Sequence, residues 1–110
     1  MELSNQSITS LRKQLSSGDI CSADIVSSIA DAIEKKDGEV GAYLSHDLDA
    51  AKEAAKTADL SLPLGGIPIA IKDNINVKGQ PCSCASRFLD GSHTSPYDAT
   101  VISKLRAAGA

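Results

Sequence analysis

The sequence predicts an α/β fold in which N-terminal helices precede the first one or two strands of a sheet. Apolar residues recur at helical spacing until about residue 58. At Leu60 the pattern changes to a stretch with one proline and two consecutive glycines, which is incompatible with a helix. The apolar run Ile67–Ile71 follows. We therefore divide the chain into a helical segment, residues 1–60, and the start of a sheet-containing core, residues 61–110, that is an incomplete domain.

The first predicted helix begins after Ser7, whose hydroxyl can cap it. Its apolar side is formed by Ile8, Leu11 and Leu15, and Gly18 stands where a helix C-cap is expected.

Ser22 is predicted to cap a second helix, in which isoleucines repeat every four residues from Ile25 to Ile33. We expect Gly38 to stop this helix and Val40–Leu44 to form a short extended piece.

Two further helices are predicted. Asp47 or Asp49 opens an Ala-rich helix that ends near residue 58. Asp98 is expected to cap a last helix over residues 99–108, with Gly109 directly after its end.

Ile67–Ile71 is short, continuous and rich in β-branched residues, as is typical of a strand buried on both faces of a parallel or mixed sheet. Pro68 places the start of this strand at an edge or at the strand entry. Ile75–Val77 is a candidate second strand, and residues 80–96 are predicted to be mostly loop.

The composition restricts the class of protein. The chain has 110 residues and a formal net charge of −3, which argues against a nucleic-acid binder that works through bulk positive charge. No apolar run is long enough to span a bilayer, so we expect a cytoplasmic protein without a membrane partner. Fifteen residues are Ala and none is Trp, so few large side chains are present to fill a closed core.

The three cysteines, Cys21, Cys82 and Cys84, are an odd number and are interpreted as reduced thiols. Together with His46 and His93 they are candidate zinc ligands, but their spacing does not match the usual paired arrangements. We therefore expect no metal site.

Lys72 is the main candidate for a catalytic residue. It follows the predicted strand at the carboxyl end, where open α/β sheets place ligands. One interpretation is a solvated lysine at a strand–loop junction. The other is a lysine desolvated in a partly apolar cavity, whose neutral amine acts as a base. Asp73 and Asn74 are expected to hold the following loop, Ser86 to form loop hydrogen bonds, and His93 to be solvated.

Several segments together resemble the amidase signature family, and the resemblance covers nearly the whole chain. They are, in chain order, Leu64–Asn74, Val77–Gly79, Cys84–Arg87, Pro96–Val101 and Lys104–Ala110. The lysine block is specific for the family. The Cys-Ala-Ser-Arg and Tyr-Asp-Ala-Thr segments favour the glutaminase subunits of tRNA-dependent amidotransferases over free-standing amidases.

The resemblance implies a mixed sheet layered between helices and a Ser–cis-Ser–Lys triad, with Lys72 as its lysine. In such a triad the lysine exchanges a proton, through a bridging serine, with the serine that attacks a carboxamide. The implied substrate is glutamine, and the implied partners are subunits B and C of a heterotrimer. The first of these partners uses the released ammonia, with ATP and magnesium, to amidate glutamate on mischarged tRNA(Gln). The resemblance implies no cofactor on this chain, which contacts the tRNA only through the complex.

The chain departs from the family pattern because the Gly/Ser-rich signature that carries both triad serines does not occur in it. Family enzymes are several times longer, so we expect an N-terminal fragment that is inactive by itself. Two alternatives remain: a fragment of an amidase that acts alone on small carboxamides, and a non-catalytic helical interaction module.

Overall fold

The computed structural model describes residues 2–91 and 93–110. Their regular elements are a short 3₁₀ helix, Leu3–Asn5, and four α-helices: α1 (Ile8–Ser17), α2 (Ser22–Val40), α3 (Leu48–Lys56) and α4 (Thr100–Ala107). Two compact units are present. The first extends to Pro68 and includes Gly109 and Ala110, and the second spans Ile69–Ala108. The predicted boundary at residue 60 remains a prediction.

The caps of α1 confirm the sequence prediction. The Ser7 hydroxyl accepts a hydrogen bond from the Ser10 N–H at 3.2 Å. Gly18 has a φ of +78°, and its N–H and that of Asp19 bond to the last carbonyls of the helix. A residue with a side chain would adopt this left-handed conformation only with strain.

Both predicted ends of α2 are wrong by one to three residues. The N-cap is Cys21 rather than Ser22, and the Cys21 N–H donates to the Asp24 carboxylate at 2.8 Å. The helix also continues through Gly38 to Val40. Glycine in a helix interior weakens the helix by about 1 kcal/mol relative to alanine but does not have to end it. Gly41, at φ +63°, is the residue that ends it.

Asp47 is the N-cap of α3 and accepts a hydrogen bond from the Ala50 N–H at 2.9 Å, as one of the two predicted alternatives. Asp98 is not the cap of α4, because its carboxylate accepts from the Lys78 N–H at 2.7 Å instead. Ala99 takes the cap position, and Gly109 follows the helix at φ +93°.

The core of the first unit consists of Leu11, Leu15, Ile25 and Ile67, each at most 6% exposed. Backbone also packs closely in this unit, because a Cβ on Gly65 would lie 2.0 Å from the Asp59 carbonyl oxygen. This close approach explains the need for glycine at position 65, and the φ of +78° explains it at position 66.

Two side chains fasten the Gly-Gly segment. The Arg12 guanidinium donates to the Gly65 carbonyl at 2.7 Å and to the Leu60 carbonyl at 2.9 Å. The buried Ser22 hydroxyl donates to the Gly66 carbonyl at 2.7 Å. Buried carbonyls without such partners would be costly.

The predicted strands do not form in the part of the chain that is described. Residues 67–71 have no sheet partner, and the single β-bridge, Pro81 to Thr94, is isolated. The expected burial on both faces is wrong for Ile69 and Ile71, which are 39% and 37% exposed. A strand requires a neighbouring strand to accept its backbone hydrogen bonds, and none of the described residues supplies one.

The described residues between 80 and 96 are mostly loop, as predicted. Backbone hydrogen bonds hold the second unit together. Gly79 N–H donates to Ser95 O, and Ser95 N–H donates to Gln80 O, both at 2.9 Å. Among the residues of this unit that the structure describes, the buried ones are Val77, Cys82, Ser95 and Ile102. Among the described residues of both units, no helix has the length and apolarity needed to cross a membrane.

Candidate active site around Lys72

Lys72 follows Ile69–Ile71, which belong to no helix or strand, and begins a tight turn. Its carbonyl accepts a hydrogen bond from the Ile75 N–H at 3.0 Å. The side chain is exposed, and its ammonium forms no ion pair or hydrogen bond within residues 2–91 and 93–110. The amine is therefore free to meet a substrate or another catalytic group.

Asp73, the neighbour of Lys72, is hydrogen-bonded to a loop that follows it in the chain, at residues 82–84. One carboxylate oxygen accepts the Ser83 N–H at 2.9 Å, and the other accepts the Ser83 hydroxyl. These two hydrogen bonds lower the pKa of Asp73 below its ordinary value. The bond from the hydroxyl is the larger cause, and the bond from the N–H is the second. This confirms the prediction that Asp73 holds the loop, and it shows a carboxylate that is engaged with Ser83 rather than paired with Lys72.

The main chain of Asp73 strengthens the same attachment. Its carbonyl accepts the Cys84 N–H at 3.1 Å and the Cys82 thiol at 3.3 Å. Asp73 thus makes contacts with three successive residues, 82–84, through both its side chain and its backbone. The position of the Lys72 turn is coupled to that of this loop.

The loop itself contains a strained turn over Ser83–Ser86. Cys84 and Ala85 have φ values of +51° and +58°, and the Ser86 N–H donates to the Ser83 carbonyl at 2.8 Å. Two positive φ angles at the centre of a turn are typical of type I′, which normally carries Asn-Gly. Each left-handed residue with a side chain costs about 1–2 kcal/mol. The anchoring to Asp73 offsets part of this strain.

Ser95 and Asn76 form a second polar pair in this unit. The Ser95 hydroxyl, in a residue only 1% exposed, donates to the Asn76 side-chain oxygen at 2.9 Å. The Asn76 carbonyl also accepts the Ala99 N–H at 2.8 Å. Asn76 therefore connects the segment after Lys72 to the entry of α4.

Sequence reasoning identified Lys72 and Asp73 but missed Ser83, Asn76 and Ser95. A carboxylate directly after an apolar run is a signal that a donor must lie nearby, but which of the many serines supplies it cannot be read from spacing. Ser86 takes part in the loop through its backbone, because its carbonyl accepts the N–H groups of Leu89 and Asp90. The predicted hydrogen bonding of its side chain stays a prediction.

The candidate zinc ligands are not assembled into a site. His46 lies edge-on to the Tyr43 ring, with 6.4 Å between the ring centroids. Within the described ranges, no group of three His, Cys, Asp or Glu side chains is arranged to hold a metal ion.

Comparison with known proteins identifies the family. The model of the family described as Amidase matches residues 24–110. The A subunit of glutamyl-tRNA(Gln) amidotransferase from Methylacidiphilum infernorum is 47% identical over 110 residues, which are 100% of this chain and 22% of that protein. The protein of the same name from Akkermansia muciniphila is 52% identical over 98 residues, 89% of this chain and 20% of that protein.

A solved structure shares the fold. It belongs to a vestigial protein complex that bears on the evolutionary origins of an s-triazine catabolic enzyme, and it matches with a TM-score of 0.85 at 22% identity. The match covers 94% of this chain and 24% of the solved chain.

The chain thus spans about a fifth of the length of the curated relatives that it matches. The family match nevertheless includes the Lys72 turn, the Asp73-anchored loop and all of α4. From these matches, the chain belongs to the amidase family.

Proposed function

We propose that the protein acts as the glutaminase subunit of a glutamyl-tRNA(Gln) amidotransferase and that this chain contributes its catalytic lysine, Lys72. The observation that carries the proposal is the 47% identity to the A subunit of such an enzyme over all 110 residues. The free, exposed amine of Lys72 beside a firmly held turn supports it.

In the proposed reaction, the neutral amine of Lys72 takes a proton, through a bridging serine in a cis peptide, from the serine that attacks the glutamine carboxamide. Backbone amides of a Gly/Ser-rich loop would stabilise the developing oxyanion. Neither serine matches a position in this chain, so we assign both to the part of the relatives' length that the chain does not cover.

The environment of Asp73 fits this role of Lys72. A carboxylate paired with a lysine favours the ammonium form, which cannot act as a base. Here both carboxylate oxygens accept hydrogen bonds from Ser83 instead. Asp73 therefore acts as a positioning residue, which fixes the turn without engaging the amine.

The proposed partners are subunits B and C, and the ammonia would pass to the first of them for the amidation of Glu-tRNA(Gln). We assign ATP and magnesium to that same partner. In the described part of the chain, no group of three or more His, Cys, Asp or Glu side chains is arranged to hold a cation.

The test is a chimera in which residues 1–110 replace the matching segment of the Methylacidiphilum relative, assembled with the partner subunits of that enzyme. We expect glutamine-dependent formation of Gln-tRNA(Gln). Lys72→Ala should reduce it by about 10²-fold or more, the scale of general base catalysis. Free ammonia as nitrogen donor should restore product in the Lys72→Ala chimera, because it bypasses glutamine hydrolysis.

Two results would contradict the proposal. One is an unmodified chimera that assembles and uses ammonia but not glutamine. The other is a Lys72→Ala chimera with full glutaminase activity. Hydrolysis of glutamine by the 110-residue chain alone, above its own Lys72→Ala control, would refute our expectation that the chain is inactive without the serines.

A further inference from the structure

Two cysteines of the second unit lie close together in the loop that Asp73 anchors. The Sγ atoms of Cys82 and Cys84 are 4.0 Å apart. Both are free thiols; Cys82 is 4% exposed and Cys84 is exposed. A disulfide needs about 2.0 Å between its sulfurs, so the two Sγ atoms must approach each other by about 2 Å.

The two thiols are chemically unequal. Cys84 stands at the strained, solvent-facing centre of the turn, at φ +51°, where an oxidant can reach it. Burial is the largest cause that raises the pKa of the Cys82 thiol, and the nearby Cys84 and Asp73 raise it further. Such a pair, with one accessible sulfur and one buried sulfur beside it, is the arrangement of an attacking and a resolving cysteine.

We propose that Cys82 and Cys84 form a reversible dithiol–disulfide site that is oxidised by hydroperoxides and reduced again by thiols. In the first step the Cys84 thiolate attacks a peroxide oxygen. An S–O bond forms and the O–O bond breaks. The departing hydroxide, or alkoxide from an alkyl hydroperoxide, takes up the proton released by the thiol to give water or an alcohol.

In the second step the Cys82 sulfur attacks the sulfur of the Cys84 sulfenic acid. The S–S bond forms, the S–O bond breaks, and the hydroxyl leaves with the Cys82 proton as water. With hydrogen peroxide, two thiols and one peroxide give one disulfide and two waters, and two electrons pass from sulfur to oxygen. An external dithiol reverses the change by thiol–disulfide exchange.

Oxidation would be transmitted to the Lys72 turn. The Cys82 thiol donates to the Asp73 carbonyl at 3.3 Å, and a disulfide has no proton to donate. Of the two donors to that carbonyl, only the Cys84 N–H would remain, in a turn whose conformation the new bond constrains. The affected carbonyl belongs to the residue directly after Lys72 in the chain.

The sequence allows a direct readout by mass spectrometry. Trypsin cleaves after Lys78 and Arg87, so one peptide, residues 79–87, carries both cysteines, and Cys21 lies in a different peptide. The 110-residue chain is treated with hydrogen peroxide, and its free thiols are alkylated. The chain is then digested with trypsin, and the peptide masses are measured. We expect peptide 79–87 to lose two hydrogens and to escape alkylation, while dithiothreitol restores two alkylatable thiols.

Single variants test the order of the two steps. In Cys82→Ser, the Cys84 sulfenic acid has no resolving thiol and should be trapped by dimedone. In Cys84→Ser, the buried Cys82 should be neither oxidised nor alkylated under native conditions. Cys21→Ser is the matched control and should leave the disulfide unchanged.

Three results would overturn the proposal: a doubly alkylated peptide 79–87 after peroxide, oxidation beyond the sulfenic stage without a disulfide, or equal reactivity of Cys82 and Cys84 in the single variants. None of these measurements uses glutaminase activity, so the outcome is independent of the proposed function.

Discussion

Gly65→Ala and Gly38→Ala should change the stability of the chain in opposite directions. The added Cβ at Gly65 would lie 2.0 Å from the Asp59 oxygen and 2.8 Å from its carbonyl carbon. Both atoms are backbone, and the Asp59 carbonyl also accepts the Leu62 N–H at 3.2 Å, so it cannot move away without breaking that bond. At Gly38, inside α2, nothing lies within 4 Å of the added Cβ.

The magnitudes follow from these contacts. Overpacking at Gly65 costs about 1–3 kcal/mol, and displacing the Gly65 carbonyl from Arg12 loses a charged hydrogen bond of about 1.5–3 kcal/mol. The reduced freedom of the unfolded chain returns about 0.4–1 kcal/mol. The net loss is roughly 1.5–5.5 kcal/mol for Gly65→Ala. Gly38→Ala should gain about 0.5–1 kcal/mol, because alanine is the better helix former.

The assay is urea unfolding followed by far-UV circular dichroism, which suits a chain without Trp. The free energy of unfolding should fall for Gly65→Ala and rise for Gly38→Ala, with the urea dependence unchanged. If Gly65→Ala is too unstable to measure, the double variant restores part of the loss. A Gly65→Ala variant within 0.5 kcal/mol (about the usual range of surface substitutions) of the unmodified chain would refute the close backbone packing.

Three further predictions concern the site and the core. Lys72→Ala should change the free energy of unfolding by less than about 0.5 kcal/mol, because the side chain is exposed and unpaired within the described residues; a larger loss in urea would reveal a structural role. Ser83→Ala should raise the pKa of Asp73 towards its ordinary value in a carboxyl NMR titration, since Ser83 is the main cause of the lowered value. Because the folded pKa is the lower one, the stabilisation from Asp73 is complete above the ordinary value of about 3.9 and disappears as the pH falls through the folded value; an unchanged titration in Ser83→Ala would contradict this. Leu15→Ala should cost about 2–5 kcal/mol in urea unfolding, because Leu15 is 3% exposed in the core, and a negligible loss would disprove that packing.

Three helix ends that depend on neighbouring residues were predicted correctly from sequence, whereas both ends of α2, at Cys21 and Gly41, are equally local and were missed. Ser7, Gly18 and Asp47 act within three or four residues of their own position, and the structure confirms each of them. Asp98 fails as a predicted cap because a donor 20 residues away, the Lys78 N–H, takes its carboxylate. The residues next to Asp98 in the sequence do not show that a distant N–H competes with the helix for its carboxylate.

The sheet prediction fails for a related reason. Ile67–Ile71 has the composition of a buried strand, but a strand is defined by its partner, and the described residues offer none. The same limit applies to the site: the motif identified Lys72, but the Asp73–Ser83 contact spans ten residues of loop. The left-handed Cys84-Ala85 pair was also unpredictable, because these residue types do not favour such a turn.

The missing sheet partner and the incomplete site are connected by the exposure of Ile69, Ile71 and Lys72. A lysine acts as a base only when its neutral form is favoured, and desolvation is the usual means. The chain holds the Lys72 turn in place through Asp73 but leaves the amine in solvent and the apolar residues before it more than a third exposed. Under the proposed function, we expect one source both for the strands that would cover Ile69 and Ile71 and for the residues that would desolvate Lys72. That source is the part of the relatives' length, about four-fifths, that this chain does not match. Assembly of the sheet and activation of the base would then be one event. The strands that cover Ile69 and Ile71 would also remove water from the amine of Lys72, which directly follows them.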